Sequence, residues 1–259
     1  MKRVVIGSTM ILLFLFLLAD TAAVAVPTQV TVRVLSKGAK FVGTSMGGAF
    51  VVIKDMSTGE VLAKGRTEGS TGNTGSIMRT PRTAGEPYLS DGDSAKFNAT
   101  IDVDSPVYVE ISAYGPGAQK QSANKVSITQ WILPGKDIVV GDAILLELPG
   151  FVVDILSPPS HVMFGGVPQS VKIRANVTMM CGCPIEPEGL WDANTYEIKA
   201  MLKRDGKDAG TIEMKYAGEK SQFEAGYQVT EPGTYEVTVY AFDPSNGNTG
   251  LDKTTFMVY

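Results

Sequence analysis

The sequence predicts an all-β protein, built from two consecutive β-sandwich domains that follow a cleaved signal peptide. Three observations support this prediction: segments in which apolar and polar residues alternate, turn-forming residues between those segments, and an apolar leader at the amino terminus. Alternation with a period of two is typical of strands that bury one face. No segment shows the caps and apolar stripe of an amphipathic helix, so strands are expected almost throughout.

The amino terminus has the layout of a secretory signal peptide. Lys2 and Arg3 give it a positive start, residues 10–18 are apolar, and Ala23 and Ala25 are the small residues that a signal peptidase reads. The apolar stretch is shorter than the ~20 residues of a membrane-spanning helix. We therefore expect cleavage after Ala25, an exported protein of the periplasm or the extracellular space, and no membrane span after processing.

Alternating segments recur along the rest of the chain. The clearest cover residues 30–34, 171–177 and 235–241, and their β-branched and aromatic content agrees with strands. Residues 192–203 also alternate and are predicted as a strand. The turn-forming residues between such segments are Ser57-Thr58-Gly59, Asp91-Gly92, Pro116-Gly117, Pro134-Gly135, Asp205-Gly206, Pro232-Gly233 and Asn246-Gly247.

The domain boundary is predicted at a break in an apolar run. Residues 143–156 are largely apolar, and Pro149-Gly150 interrupts them. Proline and glycine together end a strand, so this dipeptide is expected to join strands of different domains. The resulting division is a signal peptide at residues 1–25, a first sandwich at residues 26–149 and a second at residues 150–259.

The first sandwich contains a strand at residues 48–55, a turn at Thr58-Gly59-Glu60, and a returning strand that ends at Gly65-Arg66-Thr67. This pattern resembles the transthyretin-like or carboxypeptidase-regulatory-like sandwich. The next residues, 68–93, depart from the family's short pattern and are rich in glycine, serine and threonine. Loops of this length are often functional or mobile.

The second sandwich opens with a strand at residues 152–156 and Ser157-Pro158. It closes with a strand at residues 233–243, a turn at residues 246–250 and a last strand at residues 254–258. This layout is similar to that of bacterial immunoglobulin-like domains. Neither resemblance implies catalysis. Both imply exported modules for adhesion, spacing or docking, with another envelope protein or a surface polymer as partner.

Composition excludes several classes of function. The chain has 23 basic and 27 acidic residues, a net charge of −4 and no basic run, which argues against nucleic acid as a partner. Its one histidine leaves little for general acid–base catalysis or a zinc site. The Gly-x-Ser-x-Gly motif of hydrolases is absent. We therefore predict no enzyme, no catalytic residues and no resident cofactor.

The only cysteines, Cys181 and Cys183, are separated by one glycine, and three interpretations stay open. A local disulfide would stiffen a loop of an exported protein. Two thiolates with His161, Met179 and Met180 nearby would suit copper(I). A reactive pair would support thiol–disulfide exchange. The methionines also have a plain interpretation as packing residues, because methionine commonly fills gaps in cores.

A second candidate site lies at the last predicted turn. Oxygen-bearing side chains cluster there, at Asp243, Asn246, Asn248 and Asp252. Such a cluster can hold calcium. The alternative is that these residues form turns by accepting hydrogen bonds from their own backbone.

Aromatic residues offer a third candidate. Trp191, Tyr196 and Tyr227 could form a platform for a sugar, although Trp131 and Trp191 could each be core residues. The leading expectation is an exported, non-catalytic binding or structural accessory protein of the cell envelope. The alternatives are a periplasmic copper or thiol-redox protein that uses residues 181–183, and a carbohydrate-binding module.

Overall fold

The computed structural model describes residues 24–81 and 89–259. The signal peptide predicted at residues 1–25 lies almost wholly outside the described residues, as do residues 82–88 of the predicted loop. In the described part of the chain, no helix is long and apolar enough to cross a membrane.

The predicted all-β class is confirmed. Helical structure in the described ranges is confined to single turns, at Thr44–Met46, Gly75–Arg79, Lys120–Ser122 and Ala193–Thr195. The strands are β1 (Val26–Ser36), β2 (Phe50–Asp55), β3 (Val61–Arg66), β4 (Phe97–Val103), β5 (Val107–Gly115), β6 (Asn124–Ile132), β7 (Ile144–Leu148), β8 (Phe151–Ser157), β9 (Val162–Phe164), β10 (Gln169–Met179), β11 (Glu197–Arg204), β12 (Lys207–Glu213), β13 (Lys215–Tyr216), β14 (Gln222–Val229), β15 (Gly233–Asp243) and β16 (Asn248–Val258).

The first seven strands form two facing sheets, ordered β4-β1-β7 and β3-β2-β5-β6. Alternate residues point inward from each strand, and their side chains make one apolar core between the sheets. Val32, Ile53, Ile111 and Leu146 are fully or almost fully buried there. Of the predicted loop at residues 68–93, Gly75–Arg79 forms a helical turn whose Ile77 is buried in a small separate cluster.

The remaining strands form two more sheets, ordered β13-β14-β10-β8 and β12-β11-β15-β16-β9. The chain enters through β8, which pairs antiparallel with β10, and then changes sheet, because β9 pairs parallel with β16. This order follows the two-sheet arrangement of immunoglobulin sandwiches. Near the start of β15, the Tyr235 hydroxyl donates to the Glu231 carbonyl at 2.8 Å, which is the tyrosine corner of that architecture.

One predicted strand begins later than its alternation suggested. Residues 192–203 were predicted as a single strand, but β11 begins at Glu197. The preceding residues form a short 3₁₀ turn, because an Asp192 carboxylate oxygen accepts the Asn194 N–H at 3.0 Å. The same hydrogen bond holds the pKa of Asp192 below its usual range. A local cap therefore overrides the alternating pattern at this end of the strand.

No ladder in the described ranges pairs a strand before Pro149 with a strand after Gly150. β7 ends at Leu148 and β8 begins at Phe151, so the dipeptide stands between the two sets of sheets. Some apolar side chains nevertheless pack in the core of the other sandwich. Val152 and Met180 pack in the first core, while Ala39 packs in the second.

Candidate functional site

Many of the residues that the sequence marks as candidates lie around the chain between the two sandwiches. Asn248 is 2% exposed, and its side-chain oxygen accepts the Gly150 N–H at 2.6 Å. Its side-chain nitrogen donates to the Gly150 carbonyl at 2.9 Å. Both polar groups of this glycine are thus bound by one amide. We call this region the joint, comprising residues 37–39, 46, 120–124, 149–153, 179–183, 191 and 243–250.

The predicted calcium turn forms part of the joint. The Asp243 carboxylate accepts the Ser245 N–H at 2.9 Å and the Asn246 side-chain N–H at 2.7 Å. The Asn246 side-chain oxygen accepts the Asn248 N–H at 2.8 Å. The oxygens therefore face their own turn, and this geometry favours the alternative interpretation, in which these residues bind their own backbone.

Asp252, the fourth residue of that prediction, lies on β16 beside β8. One carboxylate oxygen accepts the Ile155 N–H at 2.9 Å. Burial, and then the nearby charge of Asp252, raise the pKa of Asp154. Across the described ranges, no group of three or more histidine, cysteine, aspartate or glutamate side chains could hold a metal ion.

The Cys-Gly-Cys segment forms a tight loop at the end of β10. Cys181 and Cys183 are joined by a disulfide and are 2% and 5% exposed, which matches the first of the three interpretations. Gly182 has a positive φ of 78°, and a Cβ there would lie 2.6 Å from the sulfur of Met46 in the first sandwich. A side chain at this position would strain the backbone and would displace the Met46 side chain.

The other predicted copper ligands point away from one another. Met179 is buried in the core of the second sandwich, whereas Met180 is buried in that of the first. His161 is exposed, and its backbone N–H donates to the Thr255 carbonyl at 2.7 Å. The plain interpretation of the two methionines as packing residues is therefore the one that their positions favour.

The predicted sugar platform is not formed. Trp191 is 7% exposed, and its indole N–H donates to the Gly38 carbonyl at 3.0 Å, so this ring is a contact of the joint. The Tyr196 ring packs edge-on against Phe151 at 5.2 Å between centroids. Burial, with smaller contributions from nearby Asp243 and Asp192, raises the pKa of Tyr196 to about 12. Tyr227 donates to the Ala209 carbonyl at 2.9 Å.

Further bonds close the joint from the side of the first sandwich. The Ser122 hydroxyl accepts the Val153 N–H at 3.0 Å and donates to the Val153 carbonyl at 3.1 Å. The Lys37 ammonium donates to the Asn246 carbonyl at 2.9 Å. A Cβ at Gly250 would lie 2.2 Å from the Phe151 carbonyl oxygen, so β16 lies directly against the start of β8. The joint is thus a packed, hydrogen-bonded connection.

A different aromatic group is exposed. Trp131 of β6 is 60% exposed and faces Tyr108 of β5, with ring centroids 5.1 Å apart. The Tyr108 hydroxyl donates to the Thr129 hydroxyl at 2.7 Å. Phe50 and Tyr114 form a second exposed pair on the same sheet surface. We call the outward surface of β3-β2-β5-β6 the aromatic face.

Sequence analysis considered Trp131 but missed Tyr108. A signal for this pair was available, because Tyr108 and Trp131 each occupy an outward position of an alternating segment. Their cross-strand pairing depends on the register of β5 and β6, which places Tyr108 opposite Trp131. Register depends on the turn and the core together and could not be read from either segment alone.

No family model matches the chain, and no curated protein matches it. Among solved structures, it is similar to an engineered protein, Northeast Structural Genomics Consortium target OR128, with 18% identity and a TM-score of 0.32 over 47% of this chain and 23% of that chain. It is also similar to the fibronectin(III)-like modules of Clostridium thermocellum CbhA, with 13% identity and a TM-score of 0.28 over 82% of this chain and 78% of that chain. A third similar structure is a chimeric titin Z1Z2 functionalized with a KLER exogenous peptide from decorin, with 14% identity and a TM-score of 0.25 over 92% of this chain and 98% of that chain.

Proposed function

We propose that this chain is an exported, non-catalytic structural and binding protein of the cell envelope, whose two sandwiches act as one rigid unit. The joint is the observation that carries the proposal. Adjacent domains move relative to each other unless their interface is well packed. Here the Ser122 hydroxyl of the first sandwich binds both backbone polar groups of Val153 in the second, and the Trp191 indole donates to the Gly38 carbonyl of the first.

Separation of the sandwiches would be costly at several points. It would break the two Ser122 bonds to Val153 and the Trp191 bond to Gly38, and it would expose Met180 to water. A typical intramolecular hydrogen bond contributes about 0.5–1.5 kcal/mol net, and burial of a large apolar side chain contributes about 1.5–3 kcal/mol. A fixed orientation is what a spacer or docking protein needs in order to present a surface at a defined distance and angle.

The non-catalytic part of the proposal is supported by the contacts of the side chains that could otherwise react or bind a metal ion. Cys181 and Cys183 are joined and buried, and the Asp243 carboxylate is engaged by its own turn. In our proposal the first sandwich is a transthyretin-like or carboxypeptidase-regulatory-like module and the second an immunoglobulin-like module. The partner is another envelope protein or a surface polymer.

The test is whether the joint couples the two sandwiches. Ser122→Ala should lower the free energy of unfolding by about 1–3 kcal/mol, because it removes both bonds to the Val153 backbone that connect the two sandwiches. Calorimetry should resolve two thermal transitions in this variant and one in the unmodified protein. Asn124→Ala is the matched control, since its exposed amide donates to the Pro149 carbonyl at 3.2 Å, and it should keep a single transition.

Two transitions in the unmodified protein would contradict the rigid unit. Export is tested separately, by amino-terminal sequencing of the protein recovered from its own cells. We expect that chain to begin at Val26, and recovery of the uncleaved chain would contradict this part of the proposal.

Carbohydrate binding is a second candidate, and the aromatic face is the specific observation that favours it. Trp131 and Tyr108 expose ring surfaces beside the hydroxyls of Thr129 and Ser127. Ring surfaces combined with polar groups are typical of binding sites. Binding on a glycan array that is lost in Trp131→Ala would support this candidate, whereas binding that survives in that variant would exclude the aromatic face.

A further inference from the structure

The described sheets have eight edge strands, and most carry features that prevent pairing with another chain. β9 and β13 have only three and two residues. The ladders of β3, β8 and β12 are each interrupted by a register shift. Short strands and bulges are the means by which proteins protect their sheet edges.

β4 and β7 are less protected by bulges but are shorter than β6. β4 has seven residues, and the segment at Glu68–Ser70 pairs with residues just before it, at Lys96 and Ser94. β7 has five residues and lies close to β6 without forming a ladder with it. β6 is thus the longest edge strand in the described ranges, with nine residues.

β6 has neither the shortness nor the bulges that protect most of the other edges. Its register with β5 runs through nine consecutive pairs without a shift, and it contains no proline or glycine. Lys125, near its start, is its one charged residue. Even Ile128, opposite the fully buried Ile111, is 37% exposed. Every second residue of an edge strand directs its N–H and carbonyl away from its sheet. The Lys125 N–H is bound by the Asn124 side-chain oxygen at 2.8 Å, and the outward groups beyond Lys125 are the ones that β6 offers to another strand.

We propose that β6 pairs antiparallel with β6 of a second copy of this chain, joining two four-stranded sheets into one continuous sheet. Full overlap of Asn124–Ile132 with itself allows one register, in which residue 124 lies opposite 132 and Ile128 lies on the two-fold axis. A two-fold dimer of this kind uses the same surface on both partners. This proposal stands apart from the function of the joint.

Side-chain complementarity in that register identifies the occupant as a second copy. Ser127 lies opposite Thr129 of the second copy, a hydroxyl pair that favours cross-strand contact. Lys125 lies opposite Trp131 of the second copy, which suits a cation–π contact and keeps the two lysines apart. The resulting sheet would bring the Tyr108–Trp131 pairs of both copies onto one extended aromatic face.

The experiment introduces charges at Ser127 and Thr129, which lie opposite each other in the proposed register. Ser127→Lys/Thr129→Lys places lysine opposite lysine at two symmetric positions, and should weaken dimerization by at least about 100-fold. Ser127→Lys/Thr129→Glu places lysine opposite glutamate at the same positions and should restore the dimer. If the two-fold axis passed through residue 127 or residue 129 instead of Ile128, this variant would place lysine opposite lysine or glutamate opposite glutamate.

The measurement is sedimentation velocity of the chain beginning at Val26 at up to about 100 µM, a range that detects weak dimers. Circular dichroism of both variants checks that they are folded. A dimer in the unmodified protein, lost in the first variant and recovered in the second, is the expected result. A monomer at every concentration, or a dimer equally stable in both variants, would overturn the proposal.

Discussion

The joint and the aromatic face each contain one of the two tryptophans, and they use it in opposite ways. Trp191 is 7% exposed and donates to Gly38 across the two sandwiches, whereas Trp131 is 60% exposed on an edge strand. The joint holds both cysteines, two of the methionines and three residues of the last turn that the sequence marks as candidates for chemistry. The aromatic face holds ordinary strand residues. In this chain, the residue types that suggested chemistry connect the two sandwiches, whereas ordinary strand residues form the exposed aromatic surface.

The physical reason lies in what each region must satisfy. The joint contains buried backbone groups outside any ladder, and these need specific partners such as the Asn248 amide. The aromatic face lies on a sheet whose backbone groups are already paired, except along the outer edges of β3 and β6. The side chains of the aromatic face are therefore not needed as hydrogen-bond partners for the backbone.

The largest expected contrast is between the two tryptophans. Trp191→Ala should lower the free energy of unfolding by about 3–5 kcal/mol, because it removes a buried ring and its bond to Gly38. Trp131→Ala, the matched control, should change it by less than about 0.5 kcal/mol, because the ring is largely exposed. Denaturant titration measures both values. Equal losses would remove the distinction between the joint and the aromatic face.

The next largest effect concerns the disulfide. Cys181→Ala/Cys183→Ala should cost about 2 kcal/mol of unfolding free energy, through lost cross-linking and lost packing. Thiol titration of protein purified without reductant should find no reactive thiol before or after unfolding. Metal analysis tests the copper interpretation on the same sample. Stoichiometric copper that disappears in Cys181→Ser would show that the loop is a metal site.

A smaller effect is expected at alkaline pH, at Tyr196. Its pKa is raised to about 12, so the folded protein keeps the phenol proton in a range where the unfolded chain has lost it. Its contribution to stability is complete below the ordinary tyrosine pKa near 10 and is lost as pH rises towards 12. Tyr196→Phe should therefore flatten the decline of Tm in this range. The measurement is Tm against pH between about 9 and 12, and an unchanged decline in Tyr196→Phe would exclude this residue as its cause.

The smallest effect is expected for Asp154. Its pKa is raised by burial and by Asp252, so ionised Asp154 destabilises the fold at neutral pH. The stabilisation linked to its bound proton is present at low pH and is lost as pH rises through the raised pKa. Asp154→Asn should slightly increase Tm at pH near 7 but not in strong acid. In the background Asp252→Asn the gain should shrink, and an unchanged gain would exclude the charge of Asp252 as a cause.

Much of the fold could be predicted, because strands and turns follow from local patterns of apolar, polar and turn-forming residues. Alternation identified the strands at residues 30–34, 171–177 and 235–241, and Pro149-Gly150 marked where β7 ends and β8 begins. The start of β11 was predicted wrongly, since the Asp192 cap is a side-chain interaction that alternation does not register. The candidate site was harder, because Met179 and Met180 are neighbours in sequence yet pack in different cores.

The sequence by itself determined the all-β class, since a period of two in apolar residues buries one face of a strand wherever that strand lies. It also supplied the residues of the disulfide and of the last turn. Only the tertiary structure decided that these residues would close the joint, that Trp191 would be buried, and that Tyr108 would meet Trp131. Those outcomes depend on strand register and on the approach of one sandwich to the other, which are set by contacts between residues far apart in the chain.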